Sequence, residues 1–227
     1  MKLFTKPRNP LREDQFVDTT TARFYDEHAR RFMMPVFHGL VAKTAKMNLP
    51  GKRVLDIGTG TGILAIELAK AHPDWQIIGI DISDNMLKIA RENAAQAGLT
   101  NEIEFWQYSA EALPFEDGFF GLVVSNASLH LWTDPVKIFK EIARVTARQG
   151  YCLIWDNLRL TIFNSLLNLV GALLGMNTMQ RRLWLQAVHS AYTHAEVKAL
   201  VDTSALQGAA VKINTRLLEL CIQWKKL

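Results

Sequence analysis

Between residues 53 and 156 the sequence alternates short apolar runs with amphipathic stretches, and this alternation restricts the fold more than any other feature. The short runs have the length and composition of buried strands, and the stretches between them have helical spacing. The five runs are RVLDI, QIIGIDI, EIEFWQY, FFGLVVSN and YCLIWD. Strands that alternate with helices predict an α/β domain, in which a parallel sheet carries helices on both faces.

Local signals predict where two of the helices begin and end. Ser83 is a suitable N-cap for the helix DNMLKIARENAAQAG, and Gly98 is a suitable residue to end it. Asp134-Pro135 combines an N-cap with a proline at the first helical position. The helix that begins at this dipeptide is expected to end near Gly150.

The N-terminal part of the chain differs from the alternating part. Residues 1–20 are polar and contain prolines, which predicts a loose arm. Residues 21–48 are predicted to be helical with a break at Pro35. We expect an arm with lid helices over residues 1–50 and a single domain over residues 51–227.

After the fifth strand the alternation stops. Residues 157–192 have helical spacing and predict a helical cap inserted after that strand. Thr193 and Glu196 have the spacing of a capping box at the start of another helix. The runs GAAVKI and LLELCIQW, with Asn214-Thr215 between them, predict a C-terminal antiparallel hairpin.

Charge and composition exclude several classes of protein. A net charge of +4 is too small to indicate nucleic acid binding by itself. Cys152 and Cys221 lie in apolar runs and are expected to be buried thiols, so we expect a reducing, cytoplasmic location. The opening residues MKLFTKPRNP contain no apolar run, so no secretory signal is expected. The apolar stretch 162–176 is interrupted by polar residues and is too short to span a bilayer.

The stretch VLDIGTGTG, residues 54–62, joins the first strand to the following helix and contains three glycines. A glycine-rich turn before a helix lets backbone N–H groups approach a ligand. A dinucleotide-binding loop has its glycines two and then three positions apart, whereas Gly58, Gly60 and Gly62 are two and two apart. Asp56 at the strand end would disfavour a pyrophosphate and suits a cationic ligand.

With its acid and its glycine spacing, VLDIGTGTG resembles the first motif of the class I S-adenosylmethionine-dependent methyltransferases. GIDIS, SAEALPF, VVSNASLHLW and YCLIWD resemble later motifs of this family in the expected order. The resemblance covers residues 22–156 and is greatest to the small-molecule group that contains the ubiquinone and menaquinone biosynthesis methyltransferases. It implies a Rossmann-like, mostly parallel seven-stranded sheet with a C-terminal antiparallel hairpin, and S-adenosylmethionine as cofactor.

The resemblance also implies roles for individual residues. Asp56 would pair with the amino acid end of the cofactor, Asp81 would accept the ribose hydroxyls, and Met86 would pack on the adenine. Ser109 stands where the family usually has an acid that contacts the adenine amine, and Tyr25 lies in a helix expected to fold over the cofactor. The complete set of candidate cofactor residues is Tyr25, Asp56, Gly58, Thr59, Gly60, Gly62, Asp81, Ile82, Met86, Ser109, Ala110, Glu111 and Asn126.

Several of these residues have a purely structural alternative. Met86 has the spacing of a core residue, Glu111 is suited to a helix start, and Tyr25 belongs to an ordinary amphipathic helix. His130 is the candidate catalytic base, and its alternative is a packed wall beside Leu129 and Trp132.

Asp156-Asn157 resembles two metal ligands of catechol-type O-methyltransferases. The expected partner acid is replaced by Ser125 and Asn126, so no metal is predicted.

The acceptor is expected to be a small, apolar molecule. SNAS, residues 125–128, lacks the proline and aromatic residue of base-amino methyltransferases, and ASLHLW lacks the paired glutamates of protein arginine methyltransferases. Neither cysteine lies in a loop at the cofactor, which disfavours cytosine C5 methylation. The leucine-rich helix at 162–174 is first of all expected to pack in the core or the cap. Its alternatives are to line an apolar acceptor pocket, to form a homodimer contact or to touch a membrane surface. An inactive binding protein and a nicotinamide dehydrogenase are the alternatives, the second disfavoured by the glycine spacing.

Overall fold

A computed structural model describes residues 8–10, 19–159, 164–214 and 219–227. In these residues the chain forms a seven-stranded sheet. Its strands are β1 (Arg53–Ile57), β2 (Gln76–Asp81), β3 (Ile103–Gln107), β4 (Phe120–Asn126), β5 (Thr146–Asn157), β6 (Ala210–Asn214) and β7 (Glu219–Lys225).

The strand order is β3-β2-β1-β4-β5-β7-β6. The pairs among β1 to β5 are parallel, and β7 runs antiparallel to both β5 and β6. This confirms the predicted Rossmann-like α/β fold and its C-terminal hairpin. The order reverses between β1 and β4, and the carboxyl ends of strands at such a point form a crevice in which ligands bind.

Eight α-helices accompany the sheet in the described residues. They are α1 (Thr19–His28), α2 (Met34–Thr44), α3 (Ile63–Ala71), α4 (Asp84–Gln96), α5 (Pro135–Val145), α6 (Asn164–Leu173), α7 (Thr178–Ser190) and α8 (His194–Asp202). A π-helical turn joins α1 to α2, and a short 3-10 turn covers Leu129–Leu131. None of the described helices combines the length and apolar character needed to cross a bilayer.

The predicted caps are confirmed. Ser83 accepts a hydrogen bond from the N–H of Met86 at the start of α4, and Gly98 follows its end with a positive φ of 71°. Thr193 forms both bonds of a capping box with Glu196. Because each cap satisfies N–H groups that the first helical turn leaves unpaired, these helices begin where the sequence predicts.

Apolar residues pack on both faces of the sheet. In β1, Val54 belongs to the core on the side of α2, α3 and α4, whereas Leu55 belongs to the core on the side of α5 and α8. Successive strand residues point to opposite faces, so one short apolar run supplies both cores. The thiols of Cys152 and Cys221 are buried in them, as predicted.

The prediction that the fifth helix continues to near Gly150 is wrong. The helix α5 ends at Val145, and β5 begins at Thr146, which pairs with Phe120 across a register shift. The side chain of Lys226 donates to the carbonyls of Ala143 and Thr146 at 2.7 Å each. Lys226, which is distant in the sequence, thus donates hydrogen bonds to carbonyls that the end of the helix leaves unpaired. A local sequence pattern does not reveal this contact.

Two predictions for the N-terminal part are also corrected. Pro35 lies in the first turn of α2, where a proline needs no N–H partner, so it does not break the helical path. Arg8, placed in a loose arm, is anchored: its guanidinium donates to the carbonyls of Ser190 and His130 at 2.6 Å each. The rest of the predicted arm, residues 1–7 and 11–18, lies outside the described residues.

Candidate active site

The glycine loop between β1 and α3 is shaped largely by packing within the protein. Gly58 and Gly62 have positive φ values of 67° and 78°. A Cβ on Gly58 would lie 2.6 Å from the Cβ of Ser128, and one on Gly62 would lie 2.9 Å from the Cβ of Ala90. A Cβ on Gly60 would meet only the ring of Tyr25, at 3.7 Å. Of the three glycines, Gly60 is the one whose surroundings leave space for a ligand.

Asp81 connects the end of β2 to this loop. The N–H groups of Gly60 and Ser83 donate to its two carboxylate oxygens at 2.9 Å each. Burial raises the pKa of Asp81, while these two N–H donors act in the opposite direction. The N–H of Ile82 acts on the carboxylate in the same direction. Two carboxylate oxygens have about four acceptor positions in all, so Asp81 can still accept a hydroxyl group.

Asp56 lies at the end of β1 and is 1% exposed. The hydroxyl of Thr59 donates to its Oδ2 at 2.8 Å. Burial raises the pKa of Asp56 to about 7, so in the unliganded protein this carboxyl is partly protonated near pH 7. A cavity of about 30 Å³ lies beside it and is also lined by Asn126 and Tyr25. Asp56 is therefore a buried acid beside a small cavity at the glycine loop.

The helix α1 holds Tyr25 against the glycine loop. The side chain of Asn93 in α4 donates to Asp26 at 2.8 Å and to the carbonyl of Thr61 at 2.9 Å. This one amide therefore links the lid helix, α4 and the glycine loop. Burial raises the pKa of Tyr25 to about 12, so its phenol remains a neutral hydrogen-bonding group.

A larger cavity of about 880 Å³ lies at the carboxyl ends of the strands and extends beneath α6 and α7. Its volume is in the range of pockets that hold small organic ligands. Eight of the residues predicted from the sequence line it. They are Tyr25, Gly58, Gly60, Asp81, Ile82, Met86, Ala110 and His130.

The other predicted residues lie elsewhere. Asp56, Thr59 and Asn126 line the smaller cavity, and Gly62 caps α3. Ser109 and Glu111 line neither cavity. The hydroxyl of Ser109 accepts from the N–H of Glu111 at 3.3 Å, and Glu111 pairs with Lys137 at 3.0 Å.

His130 is held by Asp156 in the wall of the larger cavity. The His130 Nδ1 lies 2.7 Å from Oδ1 of Asp156, and the His130 N–H donates to Oδ2 at 2.8 Å. A carboxylate beside Nδ1 favours the tautomer protonated there, which leaves the lone pair of Nε2 available. These contacts fit a wall residue and a catalytic base equally, so they do not separate the two alternatives for His130. Among the described residues no cluster of three acids, histidines or cysteines suited to a metal ion occurs.

Several residues of the larger cavity were missed from the sequence. Tyr108 and Ser128 line it beside the predicted residues, and Glu219 lines it from β7. Ala127 also lines it and has a positive φ of 53°, uncommon outside glycine. The available signal for Glu219 was that it is the one acid in the apolar run LLELCIQW.

Comparisons with known proteins identify the family of the chain. A family model described as a methyltransferase domain matches residues 48–200. The demethylmenaquinone methyltransferase of Thermus thermophilus is 39% identical over 105 residues, which cover 46% of this chain and 47% of that protein. The ubiquinone/menaquinone biosynthesis C-methyltransferase of Serratia proteamaculans is 35% identical over 107 residues, covering 47% and 43%. The matched part thus spans less than half the length of either relative.

Solved structures show the same fold at lower identity. A methyltransferase from Aquifex aeolicus superimposes with a TM-score of 0.68 at 17% identity, covering 92% of this chain and 99% of that one. The plantazolicin methyltransferase BpumL, solved with a desmethylPZN analog and S-adenosylhomocysteine, gives a TM-score of 0.73 at 14% identity and covers 95% and 94%.

Proposed function

This chain belongs to the class I S-adenosylmethionine-dependent methyltransferases, and we propose that it transfers a methyl group to a small, apolar acceptor. The observation that carries the proposal is that one cavity contains both Asp81 and Met86, suited to a nucleoside, and His130, suited to an acceptor. In such an arrangement the acceptor and the reactive group of the cofactor share a space closed off by the same helices.

The residues present fit the cofactor. Asp56 would take the ammonium group, Asp81 the ribose hydroxyls and Met86 the adenine, and the open side of Gly60 would leave room for the ligand. When bound, S-adenosylmethionine supplies a methyl group on a sulfonium, which is already an activated leaving group. The chain's own task is then to orient the acceptor, exclude water and, where the acceptor is a hydroxyl, remove its proton.

The acceptor side of the cavity is mostly apolar. Leu167, Met176, Leu183 and Trp184 of the cap region line it. Apolar walls with a few polar groups select a hydrophobic molecule and fix its orientation. The two relatives described above are named for quinone biosynthesis, which supports an aromatic acceptor of this kind.

Replacing His130 with glutamine is expected to lower methyl transfer to a hydroxyl acceptor about 100-fold, because a positioned general base contributes on this scale. The measurement is transfer of labelled methyl from S-adenosylmethionine to a panel of phenols, hydroquinones and fatty acids. The matched control is His38→Gln, since the His38 side chain is 62% exposed on α2. Binding of S-adenosylhomocysteine should be unchanged in both variants.

The same panel separates the proposal from the alternative of an inactive binding protein. Binding of the cofactor without transfer to any member of the panel would favour the binding protein. Transfer that His130→Gln leaves intact would assign His130 to the wall of the cavity alone.

We also propose that the cap contacts an anionic membrane surface through an apolar cap surface formed by Leu169, Val170, Leu173, Leu174 and Met179. These side chains are between 38% and 80% exposed. Val170, Leu174 and Met179 also line the larger cavity, so the exposed surface is continuous with the acceptor site. Arg31 and Arg182 line the same cavity and are exposed beside this surface. Apolar side chains flanked by arginines suit a lipid interface with negative charge.

Changing Leu169 and Leu173 together to serine is expected to weaken binding to vesicles of phosphatidylglycerol and phosphatidylcholine, by roughly tenfold per leucine. Neither residue lines the cavity, so cofactor binding should persist. The control is Ile213→Ser, an apolar residue 43% exposed on β6. Cosedimentation with vesicles measures the effect. Equal binding of wild type and both variants to vesicles would contradict the proposal. It would also be contradicted if the double leucine variant kept its vesicle binding and instead lost a dimer that wild type shows in gel filtration.

A further inference from the structure

We propose that Glu219 is a polar subsite for the acceptor and donates a hydrogen bond to a carbonyl oxygen of that molecule. The inference rests on the proposed function, because it assigns the subsite to the acceptor part of the larger cavity. It adds a chemical requirement: an apolar acceptor that carries an oxygen with a free lone pair.

Glu219 is placed in the cavity by the C-terminal hairpin. It is the first residue of β7 and pairs with Asn157, the last residue of β5. Residues paired across two strands point to the same face of the sheet. Both Glu219 and Asn157 line the larger cavity, and Glu219 is 9% exposed.

Glu219 differs from the other buried acids of the site, because one of its carboxyl oxygens has no donor among the described residues. Asp56 accepts from Thr59, Asp81 accepts from two backbone N–H groups, and Asp156 accepts from His130. In contrast, Oε2 of Glu219 is enclosed and has no hydrogen-bond partner among the described residues. Buried polar atoms are normally paired. Because Glu219 also lines the larger cavity, we infer that its carboxyl group meets a polar group of the ligand.

The protonation state of Glu219 determines which ligand group fits. Burial and the nearby charge of Asp156 raise the pKa of Glu219 to about 8, so the carboxyl is mostly protonated at pH 7. A neutral carboxyl has an O–H to donate, and no described residue accepts it. A carbonyl oxygen complements this donor, whereas a hydrocarbon leaves it unpaired in an apolar cavity.

The test uses two probes of nearly equal shape, 2-acetylnaphthalene and 2-isopropylnaphthalene, which differ in one carbonyl oxygen. Each is titrated by calorimetry at pH 7 into the full chain loaded with S-adenosylhomocysteine. The wild-type protein is expected to bind the ketone at least tenfold more tightly than the hydrocarbon, which corresponds to one additional hydrogen bond.

Two substitutions separate the neutral donor from other roles of Glu219. Glu219→Gln keeps an N–H donor and removes the ionisable group, and it should retain the preference for the ketone. Glu219→Leu removes the donor and should abolish the preference without weakening the hydrocarbon. Because Leu also removes a buried unpaired carboxyl, we expect this variant to unfold at a temperature no lower than wild type.

Loss of the preference in Glu219→Gln as well would show that a hydrogen-bond donor at this position does not select the ketone, and it would overturn the proposal. Retention of the preference in Glu219→Leu, or equal binding of the two probes to wild type, would also overturn it. Titration of S-adenosylhomocysteine into the unloaded wild-type protein is the separate check on the proposed function. If S-adenosylhomocysteine did not bind and the unloaded protein still preferred the ketone, the subsite would stand and the proposed methyltransferase activity would be contradicted.

Discussion

Replacing Asp81 with asparagine is expected to weaken the binding of S-adenosylhomocysteine about 100-fold while leaving the protein folded. The carboxylate accepts from the N–H groups of Gly60 and Ser83 on two different oxygens. Asparagine has a similar volume but presents one oxygen and one NH₂, so one of these N–H groups would face another donor. The loop would then lose its position, and the ribose hydroxyls would lose a charged acceptor.

Asp84→Asn is the matched control, because this substitution removes the same charge from the first residue of α4. Its side chain is 75% exposed and lies 3.9 Å from Arg91, so its loss should leave the affinity unchanged. Calorimetric titration measures the affinity, and thermal unfolding of both variants checks the fold. If Asp81→Asn bound the ligand as tightly as wild type, Asp81 would serve only to connect the loop to β2.

The fold was predictable wherever the signals are local in the sequence. The caps at Ser83 and Thr193 and the stop at Gly98 depend on residues within a few positions of each other, and all three were correctly predicted. The predicted end of α5 was wrong because the carbonyls at this end are bound by Lys226, which is 80 residues away in the sequence. A local sequence pattern does not contain this contact. The anchoring of Arg8 to His130 and Ser190 is long-range in the same sense.

The same division applies to the candidate site. Asp56, Asp81 and the glycines follow their strands directly in the chain, so motif and spacing were enough to select them. The bond between His130 and Asp156 joins the 3-10 turn after β4 to the end of β5, and the pairing of β7 with β5 brings Glu219 to the cavity. Such neighbours are set by the register of the sheet, which no single stretch of sequence contains.

The glycines show how a correct motif can carry an incomplete explanation. Their spacing indicated a ligand close to the backbone throughout the loop. In the structure, Gly58 is required by Ser128, and Gly62 is required by Ala90 and Phe105. A loop that must pack this closely against the turn after β4, against β3 and against α4 is held in place before any ligand arrives, which reduces the entropy lost on binding.

Cofactor binding is expected to strengthen as the pH rises from about 5 to 7 and then to level off, by up to tenfold per pH unit. In the free protein burial raises the pKa of Asp56 to about 7. An ammonium group beside Asp56 favours the ionised carboxylate, so the pKa of Asp56 is lower in the complex. Binding below pH 7 therefore releases a proton from Asp56, and the affinity increases as protons become scarcer.

Titration of S-adenosylhomocysteine between pH 5 and 8, in buffers of different ionisation enthalpy, measures both the affinity and the released proton. Asp56→Asn has no proton to release at this position, so its weaker affinity should rise less steeply with pH in that range. Burial also raises the pKa of Asp81, which interacts by charge with Asp56. The variant can therefore keep some pH dependence, and the loss of the steeper part is assigned to Asp56 together with its coupling to Asp81. Parallel curves for the two proteins would mean that Asp56 is not next to the ammonium group.

Unfolding provides a check on the titration of Asp56 that does not involve the cofactor. The pKa of Asp56 is raised in the folded protein from its usual 3.8 to about 7, so the folded state binds more protons than the unfolded state between these values. The free energy of unfolding attributable to Asp56 therefore decreases as the pH rises through that interval. Urea unfolding should show this decrease in wild type and not in Asp56→Asn. A ligand site is expected to contain a buried acid that destabilises the free protein near neutral pH and that a cationic partner stabilises. A structural cap is not expected to have this property.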